Sequence, residues 1–173
     1  MNKFKKDVIT PTEDDKLFRM QQVHGTVHDQ GAALMYGVGG HAGLFSNALD
    51  LAKLMQMNLQ DGEYGGVKYL QKTTLEIFNT RYFLEEGVTN RRGLGWDKPV
   101  FEGQKGGPTS NLVSQETFGH TGFTGTAAWV DPVNGLVYIF LSNRVYPDAE
   151  NKKLINGNYR TDIQEIIYKS MKK

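Results

Sequence analysis

The chain has 173 residues, carries 20 Lys and Arg against 19 Asp and Glu, and contains no Cys. That length is near the common size of one domain and can bury a real core. The near balance of charge gives no sign of a nucleic-acid or acidic partner, and the lack of Cys excludes disulfides, thiolate nucleophiles and cysteine metal sites.

The start, Met1 to Lys6, is basic, but no apolar stretch follows it, so it does not read as a signal peptide. No window approaches the roughly 18 apolar residues of a membrane span. Asp7 to Thr10 is a short β-prone run stopped by Pro11, and Thr12 to Arg19 reads as a turn or a single helical turn. Val23 to Asp29 has β-branched residues and Gly25, which argue against helix. Residues 31 to 43 are Gly-rich and largely apolar, a tight loop. Ser46 is placed to cap a helix from Asn47 to about Gln60, with Ala48, Leu51, Ala52, Met55 and Leu59 on one face and Gly62 as its stop.

Tyr64 to Leu70 reads as a small hairpin turning at Gly65-Gly66. Thr73 to Glu76 has the form of a capping box and opens a helix to about Asn79. Arg81 to Arg92 is an irregular connection. Gly93 to Phe101 is a strand candidate interrupted by Pro99, and Glu102 to Gln115 is a loop. Phe118 to Asp131 and Leu136 to Ser142 are rich in β-branched and aromatic residues and flank a Pro/Asn/Gly turn, so they predict an antiparallel hairpin. Arg144 to Asn158 is polar and turn-rich. Thr161 to Gln164 has the form of a second capping box, opening a final helix with Ile163, Ile166, Ile167 and Ser170 on one face. Helices combined with an antiparallel sheet make the fold class α+β. No repeat or internal linker is visible, so residues 1–173 read as one domain portion.

Chemistry concentrates in Phe118 to Thr126. Gly119, Gly122 and Gly125 are costly in a strand, and their usual reason is close approach of another backbone or a ligand. His120, Thr121 and the bare backbone at Gly122 could together address one bound anion; the plainer reading is a strand with a glycine kink. His24 and His28 sit four apart in a non-helical stretch. In a strand they would be about 13 Å apart at ~3.3 Å per residue, too far for one ion. A metal hydrolase built on His24, His28 and His41 is therefore the least favoured function, and hydrogen-bonded loop histidines the favoured reading. No metal and no other cofactor is expected. The single Ser-x-x-Lys match, Ser170 to Lys173, lies at a terminus that cannot hold a catalytic geometry, and no Gly-x-Ser-x-Gly elbow exists. Trp96 and Trp129 could stack sugars but read as core.

Taken in order, several segments resemble the C-terminal part of the serine β-lactamase-like hydrolases, the family of class C β-lactamases, DD-peptidases and related esterases. They are Pro11-Thr12-Glu13, Gly25 to Asp29, Gly39 to Ser46, Asp50-Leu51-Ala52, Leu94 to Asp97, Phe118 to Thr126 and Asn143-Arg144-Val145. The resemblance implies a β-lactamase/transpeptidase-like antiparallel sheet flanked by helices, with the active site along one edge strand. It places His120-Thr121-Gly122 where the family has Lys-Thr-Gly, with His120 and Thr121 binding substrate and Gly122 keeping the edge clear. It makes the backbone N–H of Phe123 one half of an oxyanion hole, a type of donor that contributes about 3–4 kcal/mol in acyl transfer.

The family's Ser-x-x-Lys helix and Tyr-x-Asn loop lie upstream of every matched segment, and Gly31 stands where the family usually has Asn. The resemblance therefore implies an incomplete domain, with Met1 an artificial boundary, and a chain inactive by itself. The function expected of the whole is acyl transfer on an ester, amide or β-lactam, with a small-molecule or peptide substrate, in the periplasm or cell envelope. The alternative is a non-catalytic module of the same fold that binds cell-wall peptide or glycan. Loss of the N-terminal strands predicts an open sheet edge, self-association, and reduced helical cover over Val137, Ile139 and Leu141 or their alternates Tyr138 and Phe140.

Overall fold

The computed structural model describes residues 5–84 and 90–171. The basic start at Met1 to Phe4, the stretch 85–89 of the predicted connection, and Lys172 and Lys173 of the terminal Ser-x-x-Lys match lie outside the described residues. The chain divides into two compact units, one formed by Met1–Ser46, Phe123–Gly125 and Ser142–Gly157, the other by Asn47–Gly122, Thr126–Leu141 and Asn158–Lys173.

The first unit is built on a hairpin of β1 (Pro11–Asp15) and β2 (Gln21–His24). The β-prone run before it is a short 3-10 turn, Lys6–Val8, and the strand instead begins at Pro11, where a missing N–H is tolerated. The polar stretch expected as a turn forms β1 because its carboxylates have fixed partners. Asp15 accepts the backbone N–H groups of Leu17, Phe18 and Arg19, which closes the hairpin loop. Arg19 binds Asp15 and Glu13 and donates to the carbonyls of Val27 and His28. Arg19 first, and then the backbone N–H of Phe18, hold the Asp15 carboxyl well below the usual range against the opposing effect of burial. α1 (Gln30–Leu34) follows, its N-terminus capped by Asp29 through Ala32 N at 2.7 Å, inside the stretch expected to be loop throughout. α4 (Lys153–Asn156) completes this unit.

The second unit is a three-stranded antiparallel meander, β5 (Phe118–Thr121), β6 (Ala127–Asp131) and β7 (Leu136–Phe140), in the order β5-β6-β7. The predicted first hairpin arm is thus two strands. The chain bends at 122–126 because Gly125 has φ of +108°, and a Cβ there would lie 2.3 Å from Ser142 Oγ. Each face of the sheet carries a helix. On one side α2 (Ala48–Leu59) brings Met55 against Phe118 and Val130, with Leu59, Trp96, Val137 and Ile139 around them. On the other, α5 (Tyr159–Met171) covers Ala127, Trp129 and Tyr138, with Phe140 and Ile167 alongside. The α+β class and the helix-flanked antiparallel sheet are as the sequence predicts. Helical cover is kept on both faces, contrary to the expected stripping of one.

Local differences have local causes. α2 is capped by Asn47, one residue later than expected, through Asp50 N at 2.9 Å. β3 (Glu63–Tyr64) and β4 (Val67–Lys68) turn at Gly65-Gly66 with two positive φ angles, the form a tight hairpin requires. α3 (Lys72–Asn79) starts before Thr73, and its N-cap Gln71 makes no side-chain capping bond, so that box is not formed. In α5 the box is absent too: Thr161 donates to the Asn158 carbonyl, and Gln164 accepts from Ser110 N at 2.8 Å. Its buried side chains are Gln164 and Tyr168, with Ile167 packed against the sheet beside them, while Ile163 and Ile166 are exposed. The predicted strand at Gly93 to Phe101 reduces to one bridge, Asp97 with Gly119.

Candidate functional site

β5 is an edge strand, and its outer side is where the chemistry-bearing residues stand. Gly119 exchanges both backbone hydrogen bonds with Asp97, at 2.8 and 3.0 Å. Antiparallel strands alternate in the direction of their polar groups. Thr121, two residues on, therefore turns its N–H and C=O to the same outer edge. Gly119 itself is fixed by packing: a Cβ would lie 2.1 Å from the Ala128 carbonyl oxygen and 2.7 Å from the Trp129 indole. The reason for this glycine is the neighbouring strand, not a ligand.

His120 is exposed on this strand. Its Nδ1 lies 2.7 Å from the Thr121 carbonyl oxygen, and its Nε2 lies 3.4 Å from an Nη of Arg92. These partners select the tautomer with hydrogen on Nδ1, leaving Nε2 as the acceptor. Behind them Arg91 grips the buried Asp97 with two nitrogens at 2.9 Å, while Arg92 stands 3.9 Å from the same carboxylate. One fork satisfies Asp97, so the Arg92 charge is surplus at the edge. Lys98 is buried next to this cluster, donating to Asn79 Oδ1 at 2.7 Å. Burial first, then the charge of Arg81, pushes its amine down to about 8, with Glu116 opposing.

Of the four residues singled out in the sequence, His120, Thr121 and Gly122 lie in the second unit and Phe123 in the first. Within the first unit the Phe123 ring lies 5.1 Å from the His28 ring and 4.5 Å from the Arg144 guanidinium carbon. Among the described residues its N–H meets no acceptor. Arg92 was not singled out, although the Arg91-Arg92 doublet just before Gly93-Leu94-Gly95-Trp96-Asp97 is a visible signal. Arg144 was quoted in the resemblance but given no role.

The remaining histidines have separate partners. His24 Nε2 lies 2.6 Å from the Ile9 carbonyl oxygen, His28 Nε2 lies 3.3 Å from Glu13, and His41 Nε2 lies 2.9 Å from Asp29. Among the described residues no group of three or more His, Asp or Glu side chains is placed to hold a metal ion. No helix among them is long and apolar enough to cross a membrane.

The Beta-lactamase family model matches residues 3–157. A protein of Escherichia coli K12 named "Putative D-alanyl-D-alanine carboxypeptidase" is 43% identical over 138 residues, covering 78% of this chain and 30% of that protein. One of the same name from Salmonella typhi is 42% identical over 142 residues, covering 81% of this chain and 31% of that one. The chain thus spans about a third of the length of these relatives. Among solved structures, a protein described as a "putative beta-lactamase" from Bacteroides dorei DSM 17855 aligns with a TM-score of 0.43 and 16% identity, over 82% of this chain and 46% of that chain.

Proposed function

The chain belongs to the beta-lactamase family, and we propose that it supplies the substrate-binding edge of a serine hydrolase that works by acyl transfer. In this reading His120, Thr121 and Gly122 line the bound substrate, and the Phe123 N–H is one oxyanion donor. The nucleophile comes from a Ser-x-x-Lys segment outside these 173 residues. The observation that carries the reading is the Arg92–His120 pair, a surplus cation beside an open strand edge. A substrate with a carboxylate next to its scissile carbonyl suits such an edge, because a guanidinium matches a carboxylate in shape and charge. In this reading Arg92 makes the anion contact and His120, its Nε2 3.4 Å from that guanidinium, orients it.

The names of the relatives add the substrate class: a peptide ending in D-alanyl-D-alanine has its free carboxylate one residue from the scissile amide. Such a substrate belongs to the cell envelope, which is the compartment we assign. β-Lactams and simple esters are the other candidates, and they differ in carrying or lacking that carboxylate.

The test uses the longer polypeptide in which a Ser-x-x-Lys segment precedes this chain. It is offered a peptide ending in D-alanyl-D-alanine, a chromogenic β-lactam and an uncharged short-chain ester. We expect an acyl-enzyme on the serine with the first or second. His120→Ala and Arg92→Gln should each lower kcat/KM by about 10- to 100-fold on carboxylate-bearing substrates, the equivalent of one charged hydrogen bond of ~1.5–3 kcal/mol. The neutral ester should be affected less. Wild-type behaviour of both variants on every substrate turned over would overturn the assignment, and tight peptide binding without any acyl-enzyme would favour a binding module.

A further inference from the structure

Phe123, Thr124 and Gly125 form the bend that leaves β5, and all three of their carbonyl groups are held by the segment 142–144. Ser142 Oγ donates to the Gly125 carbonyl at 2.9 Å, Arg144 N to that of Thr124 at 2.9 Å, and Arg144 Nε to that of Phe123 at 2.8 Å. The rest of the guanidinium is anchored away from the bend, one Nη donating to the carbonyls of Ala149 and Asn151 at 2.9 Å each. Its face lies over the Phe123 ring, 4.5 Å from guanidinium carbon to centroid. Arg144 is 8% exposed, and every side-chain bond it makes is to a carbonyl oxygen rather than a carboxylate.

A peptide unit is rigid, so the direction of an N–H depends on the few torsions beside it. Here the Phe123 carbonyl, its ring and the next two peptides are held by Arg144 and Ser142, which fixes Phe123 Cα and leaves the torsion about its N–Cα bond as the one between that frame and the Phe123 N–H. We propose that Arg144 is a positioning residue for acyl transfer, holding the 123–125 bend so that the Phe123 N–H points steadily at the developing oxyanion. The role rests on the reading of the Phe123 N–H given above and deepens it. A donor lowers a barrier only if it is already oriented when charge develops. Lysine could not replace arginine, because one ammonium cannot reach three carbonyls while lying flat on a ring.

Two measurements test this. In the 173-residue chain, Arg144→Lys should speed amide hydrogen exchange at residue 144, whose N–H donates to the Thr124 carbonyl, while leaving exchange in β6 unchanged. In the longer polypeptide the same variant should lower kcat by about 10- to 100-fold, short of the full 10²- to 10³-fold loss of a donor, with KM within about threefold. A merely structural role would scale the amount of active enzyme and leave kcat per acylatable serine unchanged. Should Arg144→Lys not fold, Phe123→Ala removes the ring contact at an exposed side chain, keeps the N–H, and should lower kcat severalfold with the same unchanged KM. Unchanged exchange at residue 144, or unchanged kcat per titrated site, would overturn the role of Arg144 while leaving the site assignment intact. Absence of any acyl-enzyme in the wild-type polypeptide would instead remove the proposed function, and this role with it.

Discussion

Tyr168 donates its phenolic hydrogen to Asp131 Oδ2 at 2.7 Å, and both groups are buried. This one contact ties α5 to the end of β6. Asp131 also accepts from Ser114 N and Oγ, from Val133 N, and from Asn134 N and Nδ2. The carboxylate therefore closes the β6–β7 turn and pins the loop before β5 at the same time.

Burial alone would raise the Asp131 pKa, but the hydrogen bonds from Ser114, Tyr168 and Asn134 outweigh it and bring it down from 3.8 to about 2. The same pair pushes the Tyr168 phenol well above its ordinary value, through burial first and then the neighbouring carboxylate. A carboxylate whose folded pKa is depressed stabilises the fold above its unfolded pKa, and that contribution is lost as pH falls through the folded value. Thermal stability should therefore decline between about pH 4 and pH 2. In Asp131→Asn this part of the decline should shrink. Tyr168→Phe should cost about 1–3 kcal/mol, since it removes one donor from a buried carboxylate. Asp131→Ala should cost about 3 kcal/mol or more by orphaning several donors together. Urea unfolding monitored by Trp fluorescence measures each; equal stability of Tyr168→Phe and wild type would show the contact to be incidental.

Gly119→Ala tests whether the edge strand is set by packing. The added carbon would sit 2.1 Å from the Ala128 carbonyl oxygen and 2.7 Å from the Trp129 indole, both in the next strand. Backbone cannot give way as a flexible side chain does, so the strands must part. The expected cost is about 2–4 kcal/mol, at or above the usual range for overpacking. A variant melting within a degree of wild type would mean that β5 and β6 are looser than this geometry states.

The parts of this fold that were legible in the sequence are those whose causes are local. The α2 helix follows from its apolar periodicity, although its cap is Asn47 rather than the expected Ser46, and the Gly65-Gly66 turn is a two-residue signal. The illegible parts depend on side chains reaching across the chain. β1 is polar and looks like a turn until Arg19 is seen tying Asp15 and Glu13 to the carbonyls at 27 and 28. On α5 the apolar period locates Ile167, but Gln164 and Tyr168 are buried by partners at Ser110 and Asp131, which no helical period reveals. The site divides the same way. His120-Thr121-Gly122 could be read from its place in a glycine-rich strand, but its cation Arg92 is 28 residues upstream. Arg144 reaches Phe123 across 21 residues, so only the folded chain displays either.

The chain alone should show no turnover of a chromogenic β-lactam or an activated short-chain ester. In the proposed reading the β5 edge binds substrate, but acyl transfer also needs an attacking group with a base beside it. The one Ser-x-x-Lys match ends in Lys172 and Lys173 at the terminus. Activity that stays with the protein through further purification, or a covalent adduct found on any Ser by mass spectrometry, would place a nucleophile inside these 173 residues.

Self-association of the isolated chain is expected from its exposed surface rather than from an uncovered sheet face. α2 and α5 cover both faces of the meander, so a stripped face is not the driver. Within the first unit, however, the end of α1 and the segment after it expose large apolar side chains in succession: Leu34 is 72% exposed, Tyr36 fully, Val38 84% and Leu44 79%. Scattered apolar residues are ordinary on a surface, but so many within eleven positions are the kind of patch that association closes. β7 adds an outer edge that no other strand pairs among the described residues, and unpaired edges template strand pairing between chains. A net charge of +1 supplies little repulsion against either route. Light scattering across a concentration series should show mass rising with concentration. The double variant Leu34→Glu, Leu44→Glu should suppress that rise if the apolar segment drives it, and leave it intact if the β7 edge does. A wild-type chain that stays monomeric and melts cooperatively at high concentration would show that this surface needs no cover.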